Sequence, residues 1–304
     1  MHSERPEDEG PLDHALSVFV GVRPRLFGIA YRMLGSAADA EDVVQSAWLR
    51  WQTTDRSAVL DAPAFLTTVA ARLAINLAAS ARSRREAYVG PWLPEPVDTE
   101  SDPRLGAERD EGLEFAVLLL LEKLTPAERA AYVLREAFNY PYPRIAETLG
   151  LGEANVRQHV SRARRHLKGG PRTTVGKAEQ ERLLSAFVAA ARDGDAAALE
   201  AVFAADVASY ADGGGVVRAA RVPIVGRARV AKFIAAIAAH YWSGVTVERV
   251  NANGQAAVVL RRDGAVGGLV TVTASARGIE QILWVMRPSK LAAISFALHG
   301  SRPR

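Results

Sequence analysis

The hydrophobic pattern of this chain changes character at residues 169–171, a Gly-Gly-Pro run, and this change constrains the fold most. Before it, apolar residues recur at helical spacing in two blocks, residues 12–85 and 113–168. After it, two helices precede alternating strand-like segments with turn pairs such as Asn253-Gly254 and Asp263-Gly264. A length of 304 residues is comfortable for two or three domains. The sequence therefore predicts a multidomain protein, all-α at first and α+β at its end.

The composition excludes several classes of protein. Apolar residues make up 49% and charged residues 24%, which excludes a wholly disordered chain. The longest stretch without a charge, residues 233–247, is too short and polar to span a bilayer, and residues 1–14 lack the apolar core of an export signal. The absence of cysteine excludes disulfides and zinc-thiolate sites. We therefore expect a cytoplasmic protein without a membrane partner, metal or cofactor.

Local signals place helix ends within both helical blocks. Ser36 and Asp39 form a start signal for a second helix, and Pro24 is expected to break or kink the first. Residues 125–128 (Thr-Pro-Ala-Glu) form a capping box with proline at the first helical position. Pro143 is expected to open a short helix that ends near Gly150.

An acidic segment separates the two helical blocks. Residues 86–114 contain nine acidic residues, two arginines and four prolines. This composition predicts a linker over residues 87–112 rather than core. Two hypotheses remain open for it, namely that it folds against the basic surfaces or that it stays solvated.

Residues 144–167 have the pattern of a helix-turn-helix. A short helix is followed by a tight turn at residues 150–152 and by a second helix with one apolar stripe. Arginine and glutamine on the other faces have the donors to read base edges and phosphates in a major groove. The alternative is a solvated basic face that suits the helix dipole. The polar and basic residues are Arg157, Gln158, Ser161, Arg162, Arg164, Arg165 and Lys168.

Two motif sets in this order resemble bacterial sigma factors of the extracytoplasmic-function (ECF) type. RLFGIAYRMLGSAADAEDVVQ at residues 25–45 and AWLRW at 47–51 are similar to sigma region 2. LTPAER at 124–129, REAFNYPY at 135–142 and IAETLG at 145–150 are similar to sigma region 4. The resemblance implies a sigma factor that directs core RNA polymerase, through its β′ and β subunits, to promoter DNA. The alternative function is a ligand-responsive helix-turn-helix regulator.

The resemblance also implies a domain order. A region 2 helical bundle at 12–86 would bind core polymerase and the −10 element, and the linker would follow at 87–112. A region 4 helix-turn-helix at 113–170 would bind the −35 element. Residues 177–295 resemble the SnoaL-like, NTF2-like α+β cone, in which a bent sheet wraps helices around an apolar pocket.

Specific residues can be assigned from the region 2 resemblance. The polymerase β′ clamp helices would be contacted by one set, although helix capping and dipole pairing are alternatives for its acidic members. A second set, with the loop at 52–60, would capture the opened −10 strand, although core packing is the alternative for its tryptophan. The clamp set is Asp39, Glu41, Asp42, Val43 and Gln45, and the −10 set is Trp51, Arg72, Asn76, Arg82, Arg84 and Arg85.

Three short motifs are similar to the SigJ-like subgroup of ECF factors with a SnoaL-like extension. They are WLPEP at 92–96, DGGG at 212–215 and RPSKL at 287–291, of which the last departs at two positions from the usual NPDKL. In that subgroup the extension contacts the sigma domains and tunes polymerase binding; a plain turn is the alternative for DGGG. The residues assigned a regulatory role from these motifs are Trp92, Pro94, Pro96, Asp212, Gly213, Gly214, Gly215, Pro288, Lys290 and Leu291.

The C-terminal cone leaves three roles open. It is expected to act by protein contact alone, to hold a small-molecule ligand in its pocket, or, as the least favoured reading, to be an NTF2-like enzyme fused to a DNA-binding module. Tyr210, Asp212 and His240 would supply acid/base groups in the last case. We expect no catalysis, and a monomer when the protein is free. The expected wall or core residues are Phe187, Phe203, Val207, Phe233, Ile237, Trp242 and Trp284.

Overall fold

The computed structural model describes residues 11–98, 114–168, 170, 173–292 and 294. The predicted linker beyond residue 98 and the predicted domain end at residue 295 lie outside these residues. In the described part, an N-terminal helical bundle is followed by a helix-turn-helix block and a C-terminal sheet domain. The predicted order of two all-α parts and one α+β part is confirmed.

The N-terminal bundle consists of α1 (Pro11–Leu34), α2 (Ala37–Thr53), a 3₁₀ turn (Arg56–Ala58) and α3 (Ala62–Glu86). The three α-helices pack on one another. By length and composition alone α3 is apolar enough to cross a membrane. Its small apolar residues are instead buried against α1 and α2, as in the core helix of a folded domain.

Helix α1 runs without interruption through Pro24, so of the two expected effects of this proline, a break or a kink, the break is wrong. Proline in a helix interior costs about 3 kcal/mol, because it removes one backbone hydrogen bond and crowds the preceding turn. Residues 26–34 are buried, among them Leu26, Ala30 and Tyr31. Their packing offsets the local cost.

The helix-turn-helix block begins with α4 (Phe115–Leu121) and α5 (Pro126–Tyr132), which continues as a π-helical turn (Val133–Ala137). Helices α6 (Tyr142–Leu149) and α7 (Glu153–Leu167) follow. Both hydrogen bonds of the capping box before α5 are present: the Thr125 side chain accepts from the Glu128 N–H, and the Glu128 side chain accepts from the Thr125 N–H. Gly150 ends α6 in the left-handed conformation, at φ 66°. The predicted helix starts and the turn are therefore confirmed.

The C-terminal domain contains the helices α8 (Lys177–Asp193), α9 (Ala196–Val202) and α10 (Arg227–Tyr241) and one mixed sheet. The strand order is β2-β1-β6-β5-β4-β3; β1 and β6 pair in parallel and the other neighbours are antiparallel. The predicted hairpin turns are confirmed, since Asn253 and Asp263 adopt positive φ before a glycine. The strands are β1 (Phe203–Asp212), β2 (Ile224–Val225), β3 (Val245–Ala252), β4 (Gln255–Arg262), β5 (Ala265–Ser275) and β6 (Gly278–Val285).

Both faces of this sheet are covered, but by different parts of the chain. The inner face packs against the domain's own helices through an aromatic cluster that includes Phe187, Phe203 and Trp284. Phe233 is 38% exposed and does not belong to this core, which corrects its predicted place. The outer face packs against Leu93 from the linker and Phe115 from α4.

Part of the predicted linker is therefore core. We call residues 87–98 the strap. Leu93 is fully buried and Val97 is 6% exposed, whereas the composition predicted a linker outside the core. The prolines of this segment prevent regular structure but do not prevent burial, because an extended chain can lie on a sheet face.

Candidate functional site

Helix α7 presents a basic face to solvent. Its apolar stripe of Val156, Val160, Ala163 and Leu167 is buried, with at most 1% exposure, and this burial turns the other faces outward. Arginine and glutamine side chains on such a face suit phosphates and base edges. The exposed residues include all seven of the predicted −35 set: Arg157, Gln158, Ser161, Arg162, Arg164, Arg165 and Lys168.

Two of these arginines are oriented by neighbours within the block. Arg164 Nη2 donates to Glu136 Oε1 at 2.8 Å, and the guanidinium of Arg157 lies 4.3 Å from the centre of the Tyr142 ring. Exposed pairs of this kind contribute about 1 kcal/mol or less. They orient the two side chains, which stay exposed and accessible to a ligand.

A cavity of about 800 Å³ lies beside the loop that follows α2. Val59 and Leu60 of the loop and Arg72 and Asn76 of α3 line it. These are the loop and the helix predicted to capture the −10 strand, and the structure brings them together around one space. Its volume falls within the range of sites that enclose a small organic group such as an extruded base.

Helix α6 covers one side of this cavity. Arg144 and Glu147 of α6 also line it. Arg72 Nε donates to the Thr148 carbonyl at 2.9 Å, and its Nη2 donates to the Glu147 carbonyl at 3.3 Å. The unpaired carbonyls at a helix C-terminus favour a cation. A predicted −10 residue is thus bonded to the helix-turn-helix block, and we call this packing of bundle and block the closed arrangement.

A buried charge cluster also joins the bundle to the block. The Glu122 carboxylate accepts from the guanidinium groups of both Arg85 and Arg129, and Arg129 Nε donates to the Arg32 carbonyl at 2.8 Å. Burial lowers the pKa of Arg85 and Arg129, but a guanidinium stays charged at neutral pH. Two buried cations share one carboxylate, so this contact costs desolvation energy that packing elsewhere must offset.

Three predicted site residues are buried or enclosed by other side chains, which corrects their predicted roles. Trp51 is 3% exposed, packs on Phe65 and donates from Nε1 to the Ala15 carbonyl at 3.1 Å, which leaves no ring face for a base. Val43 is 1% exposed in the bundle core and cannot reach a partner. Arg85 lies between Glu122 and the Trp92 ring instead of on a DNA-facing surface.

The remaining clamp and −10 residues are at the surface, and some are paired. Glu41 accepts from Arg23 at 2.8 Å, and Asp39 Oδ2 lies 3.7 Å from Arg84 Nη2. Such exposed pairs exchange readily with other partners. The residues Asp42, Gln45, Asn76 and Arg82 are also exposed.

The strap binds the start of α2, which carries the predicted clamp residues. The Glu95 carboxylate accepts from the backbone N–H groups of Ala37 at 2.7 Å and Ala38 at 3.2 Å, and from the Ser36 hydroxyl at 3.0 Å. A carboxylate at a helix N-terminus satisfies unpaired N–H groups and complements the dipole. In return, Glu95 N–H donates to the Gly35 carbonyl at 2.8 Å.

The other side of the strap binds a buried carboxylate of the C-terminal domain. Asp212 has no exposed surface; it accepts from the Tyr88 hydroxyl at 2.5 Å, the Leu93 N–H at 2.8 Å and Lys290 Nζ at 2.7 Å. Lys290 Nζ also donates to the Leu93 carbonyl. Burial lowers the pKa of Lys290 to about 8, against the opposing effect of Asp212. Residues from all three short motifs thus meet at one point.

Trp92 and the DGGG loop complete this contact. The guanidinium of Arg85 and the ammonium of Lys290 lie 3.8 Å and 4.3 Å from the centre of the Trp92 indole. Gly214 has φ +58°, and a Cβ there would lie 2.7 Å from the Tyr88 hydroxyl. The DGGG segment is therefore a turn whose lack of side chains lets the strap approach. Pro288 is exposed, whereas Leu291 is 2% exposed in the outer-face core.

One hairpin turn reaches the N-terminal bundle directly. Asn253 has no exposed surface, and its Nδ2 donates to the Tyr31 hydroxyl at 2.6 Å while its Oδ1 accepts from Val97 N–H at 3.0 Å. The Tyr31 hydroxyl donates to the Glu95 carbonyl at 2.5 Å. A turn residue, the strap and α1 thus form one hydrogen-bonded chain across three parts of the molecule.

The three residues considered as acid/base groups, Tyr210, Asp212 and His240, do not form one site. Asp212 is bonded to the strap, whereas His240 is exposed near the end of α10. Tyr210 lies on the outer side of the sheet, beside the outer-face core. The carboxylate of this set, Asp212, is already bonded to three donors.

Comparisons with known proteins agree with this architecture. The family model described as Sigma-70 region 2 matches residues 19–85, and the one described as Sigma-70, region 4 matches residues 114–167. The ECF RNA polymerase sigma factor SigJ of Mycobacterium tuberculosis is 37% identical over 76% of this chain and 75% of its own length. The probable ECF RNA polymerase sigma factor SigI of the same species is 31% identical over 91% of this chain and 95% of its own.

The protein is an ECF RNA polymerase sigma factor. The crystal structure of the Mycobacterium tuberculosis extracytoplasmic function sigma factor SigJ matches it with a TM-score of 0.74 and 30% identity, over 91% of this chain and 98% of the other. The predicted family, the multidomain fold and the SnoaL-like C-terminal domain are confirmed. This sigma factor binds core RNA polymerase and promoter DNA, and the alternative of a separate class of helix-turn-helix regulator is not favoured.

Sequence reasoning missed several residues of the interdomain contact. Tyr88 precedes the WLPEP motif and belongs to no motif itself. The sequence indicates only a turn at Asn253, and Glu122 follows an apolar helical segment without any recognisable pattern. Glu95 lies inside WLPEP but was not assigned a role. An Asn-Gly turn and a motif acid were visible, but no local pattern shows which distant backbone groups such residues bind.

Proposed function

We propose that the C-terminal domain of this sigma factor modulates promoter binding by holding the strap, and with it the closed arrangement. The observation that carries this proposal is Asp212, a fully buried carboxylate whose partners include Tyr88 and Leu93 of the strap. The same strap binds α2 through Glu95. A change at Asp212, the last residue of β1, is therefore coupled to the bundle by a short run of extended chain.

The closed arrangement is incompatible with simultaneous use of both promoter elements. Elements at −10 and −35 are about 25 base pairs apart, or roughly 85 Å of B-form DNA at 3.4 Å per pair. In the closed arrangement Arg72 of the bundle contacts Thr148 of the block, within a few residues of α7. The two parts must separate before α3 and α7 reach their elements.

The residue roles follow from exposure. We propose that Asp42 and Gln45, with Asp39 and Glu41 after exchange of their arginine partners, bind the polymerase clamp. The cavity beside α3, with Arg72 and Asn76, captures the −10 strand once α6 leaves, and Arg82 and Arg84 hold its phosphates. Helix α7 binds the −35 element through Arg157, Gln158, Ser161, Arg162, Arg164, Arg165 and Lys168.

The C-terminal domain in this proposal regulates rather than catalyses. Its buried carboxylate serves an interdomain contact, and sigma factors are transcription regulators. The protein acts in the cytoplasm, where bacterial RNA polymerase works, and is a monomer when free, because the apolar outer face of its sheet is covered within one chain.

In vitro transcription at limiting sigma factor tests the proposal. Lys290→Met keeps much of the side-chain volume but leaves Asp212 without its cation, which weakens the closed arrangement. We expect more open complexes with core polymerase than for the parent protein. Arg277→Gln is the matched control, because it removes an exposed cation of the same domain that pairs with Glu280. Equal or lower output from Lys290→Met, with the control unchanged, would contradict the proposal.

A further inference from the structure

A second cavity, of about 470 Å³, lies where the strap, α4 and the C-terminal sheet meet. Pro91 and Trp92 of the strap form one wall, and Leu119 and Lys123 come from the helix-turn-helix block. The sheet domain supplies Tyr210, Arg221, Pro223 and Gln281. The cavity is on the outer side of the sheet. It is thus separate from the inner, apolar side at which the sequence predicted a ligand pocket.

The polar groups of this cavity converge from the sheet domain. Gln281 on β6 is 7% exposed, and its Oε1 accepts from Thr273 Oγ1 at 3.5 Å, which directs its Nε2 amide into the cavity. Within the described part of the chain, no residue accepts a hydrogen bond from this Nε2. Tyr210 on β1 adds a hydroxyl group to the same lining. An amide donor that faces a cavity and has no acceptor among the described residues is a group that a bound acceptor would satisfy.

Two cations stand at the edge of the cavity. Lys123 and Arg221 both line it, both are exposed, and neither makes an ion pair with any described residue. The backbone of Arg221 lies close to the strap, because a Cβ on Gly90 would lie 3.7 Å from Arg221 Cα. Among the residues that the structure describes, no carboxylate lines this cavity. The lining thus combines two positive charges and two uncharged donors with an apolar floor.

We propose that this cavity binds a small organic anion with an apolar or aromatic body, such as an aryl sulfonate or carboxylate. The apolar part lies against Trp92 and Leu119, while the acidic group is bound by Lys123, Arg221 and the Gln281 amide. Cavities of this volume enclose most of a small organic molecule and use a few polar groups to fix its orientation.

The position of the site determines how a bound molecule affects the closed arrangement. Because its walls come from the strap, the helix-turn-helix block and the sheet domain, an occupant has most of its contacts only while the three are together. A ligand shifts an equilibrium toward the state that it binds better. The occupant therefore stabilises the closed arrangement; this consequence rests on the proposed function, whereas binding itself does not.

Fluorescence titration of the full-length protein with anilinonaphthalene sulfonate tests the binding. The uncharged parent compound, phenylnaphthylamine, serves as the matched probe without the acidic group. We expect saturable binding of the sulfonate at least tenfold tighter than binding of the parent. We also expect the double variant Lys123→Gln and Arg221→Gln to weaken sulfonate binding at least tenfold. A second pair, Arg192→Gln and Lys232→Gln, changes the charge equally at exposed positions outside the lining and should leave binding unchanged.

Each contrary result has a clear meaning. Equal affinity for both probes, or equal weakening by both double variants, would show adventitious apolar or long-range charge effects only and would overturn the site. Absence of saturable binding would do the same. Sulfonate binding that meets these criteria but fails to slow opening of the strap, measured by hydrogen exchange, would leave the site standing and remove the coupling to the closed arrangement.

Discussion

The two faces of the C-terminal sheet are both apolar cores, but they are built differently. The inner face is filled by residues of its own domain, such as Phe187 and Trp284, whose rings lie edge to face with centroids 5.8 Å apart. The outer face combines Leu283 and Val285 with side chains from the strap and the block, and a buried ion pair stands beside it. A core from one segment cannot separate without unfolding, whereas a shared core can.

The ion pair beside the outer face explains why this contact is specific rather than simply strong. Replacing a buried pair by apolar residues is often neutral or stabilising, but removing one partner is costly. Asp212 and Lys290 therefore contribute little net stability. They set the register of the strap, because Leu93 bonds to Asp212 through its N–H and to Lys290 through its carbonyl.

The largest expected effect breaks the inner face. Phe187→Ala removes a fully buried ring and should lower the free energy of unfolding of the C-terminal domain by about 3–5 kcal/mol. Denaturant unfolding followed by circular dichroism measures this loss. A loss below about 1 kcal/mol would show that the inner face is not the core of the domain.

Breaking the ion pair beside the outer face should have a smaller and more local effect. Lys290→Met should lower the free energy of strap opening by about 3 kcal/mol, because Asp212 loses its cation in a buried place. Hydrogen exchange of the Leu93 N–H reports this opening. With Asp212→Asn added, the combined loss should be less than the sum of the two single losses. Additive losses would show that the two residues act independently.

Substitutions at two glycines test how Trp92 of the strap packs against the bundle. Gly35 and Gly150 both have positive φ, but a Cβ on Gly35 would lie 2.6 Å from Trp92 Cη2, whereas a Cβ on Gly150 meets nothing within 4 Å. Each change to alanine should cost about 1 kcal/mol for the backbone conformation. Only Gly35→Ala should also speed exchange in the strap, and equal behaviour of the two variants would show that Trp92 packing there is unimportant.

The smallest effect concerns the contact between bundle and block. Arg72→Gln removes a charged donor from the Thr148 carbonyl and should weaken the closed arrangement by about 1 kcal/mol. Because Arg72 also lines the cavity that we propose captures the −10 strand, promoter melting should fall in the same variant. Permanganate footprinting of open complexes, beside the exchange measurement, separates the two effects. A rise in melting would show that Arg72 serves only the closed arrangement.

The local parts of this structure could be predicted from the sequence. The capping box at residues 125–128, the Gly150 turn and the Asn253-Gly254 hairpin depend on neighbouring residues, and all were correct. The alternation in the strands and the exposed face of α7 follow from periodicity in the same way. Motif order was sufficient to identify the family.

Contacts between distant segments could not be predicted in this way. The composition of the strap indicated a linker, yet Leu93 is buried, because its partner surface is a sheet formed more than a hundred residues later. The residue types of Val43, Trp51 and Arg85 suit their predicted roles. Their helices turn those side chains inward, which depends on three-dimensional packing that no local pattern contains.

A distance between the bundle and the block tests the central claim most directly. The chain lacks cysteine, so Leu49→Cys and His166→Cys, at exposed positions of α2 and α7, give two labelling sites without removing others. We expect one short distance in the free protein, a partly populated longer distance in the Lys290→Met background, and only the longer distance in the promoter complex with core polymerase. Persistence of the short distance in the promoter complex would contradict the account.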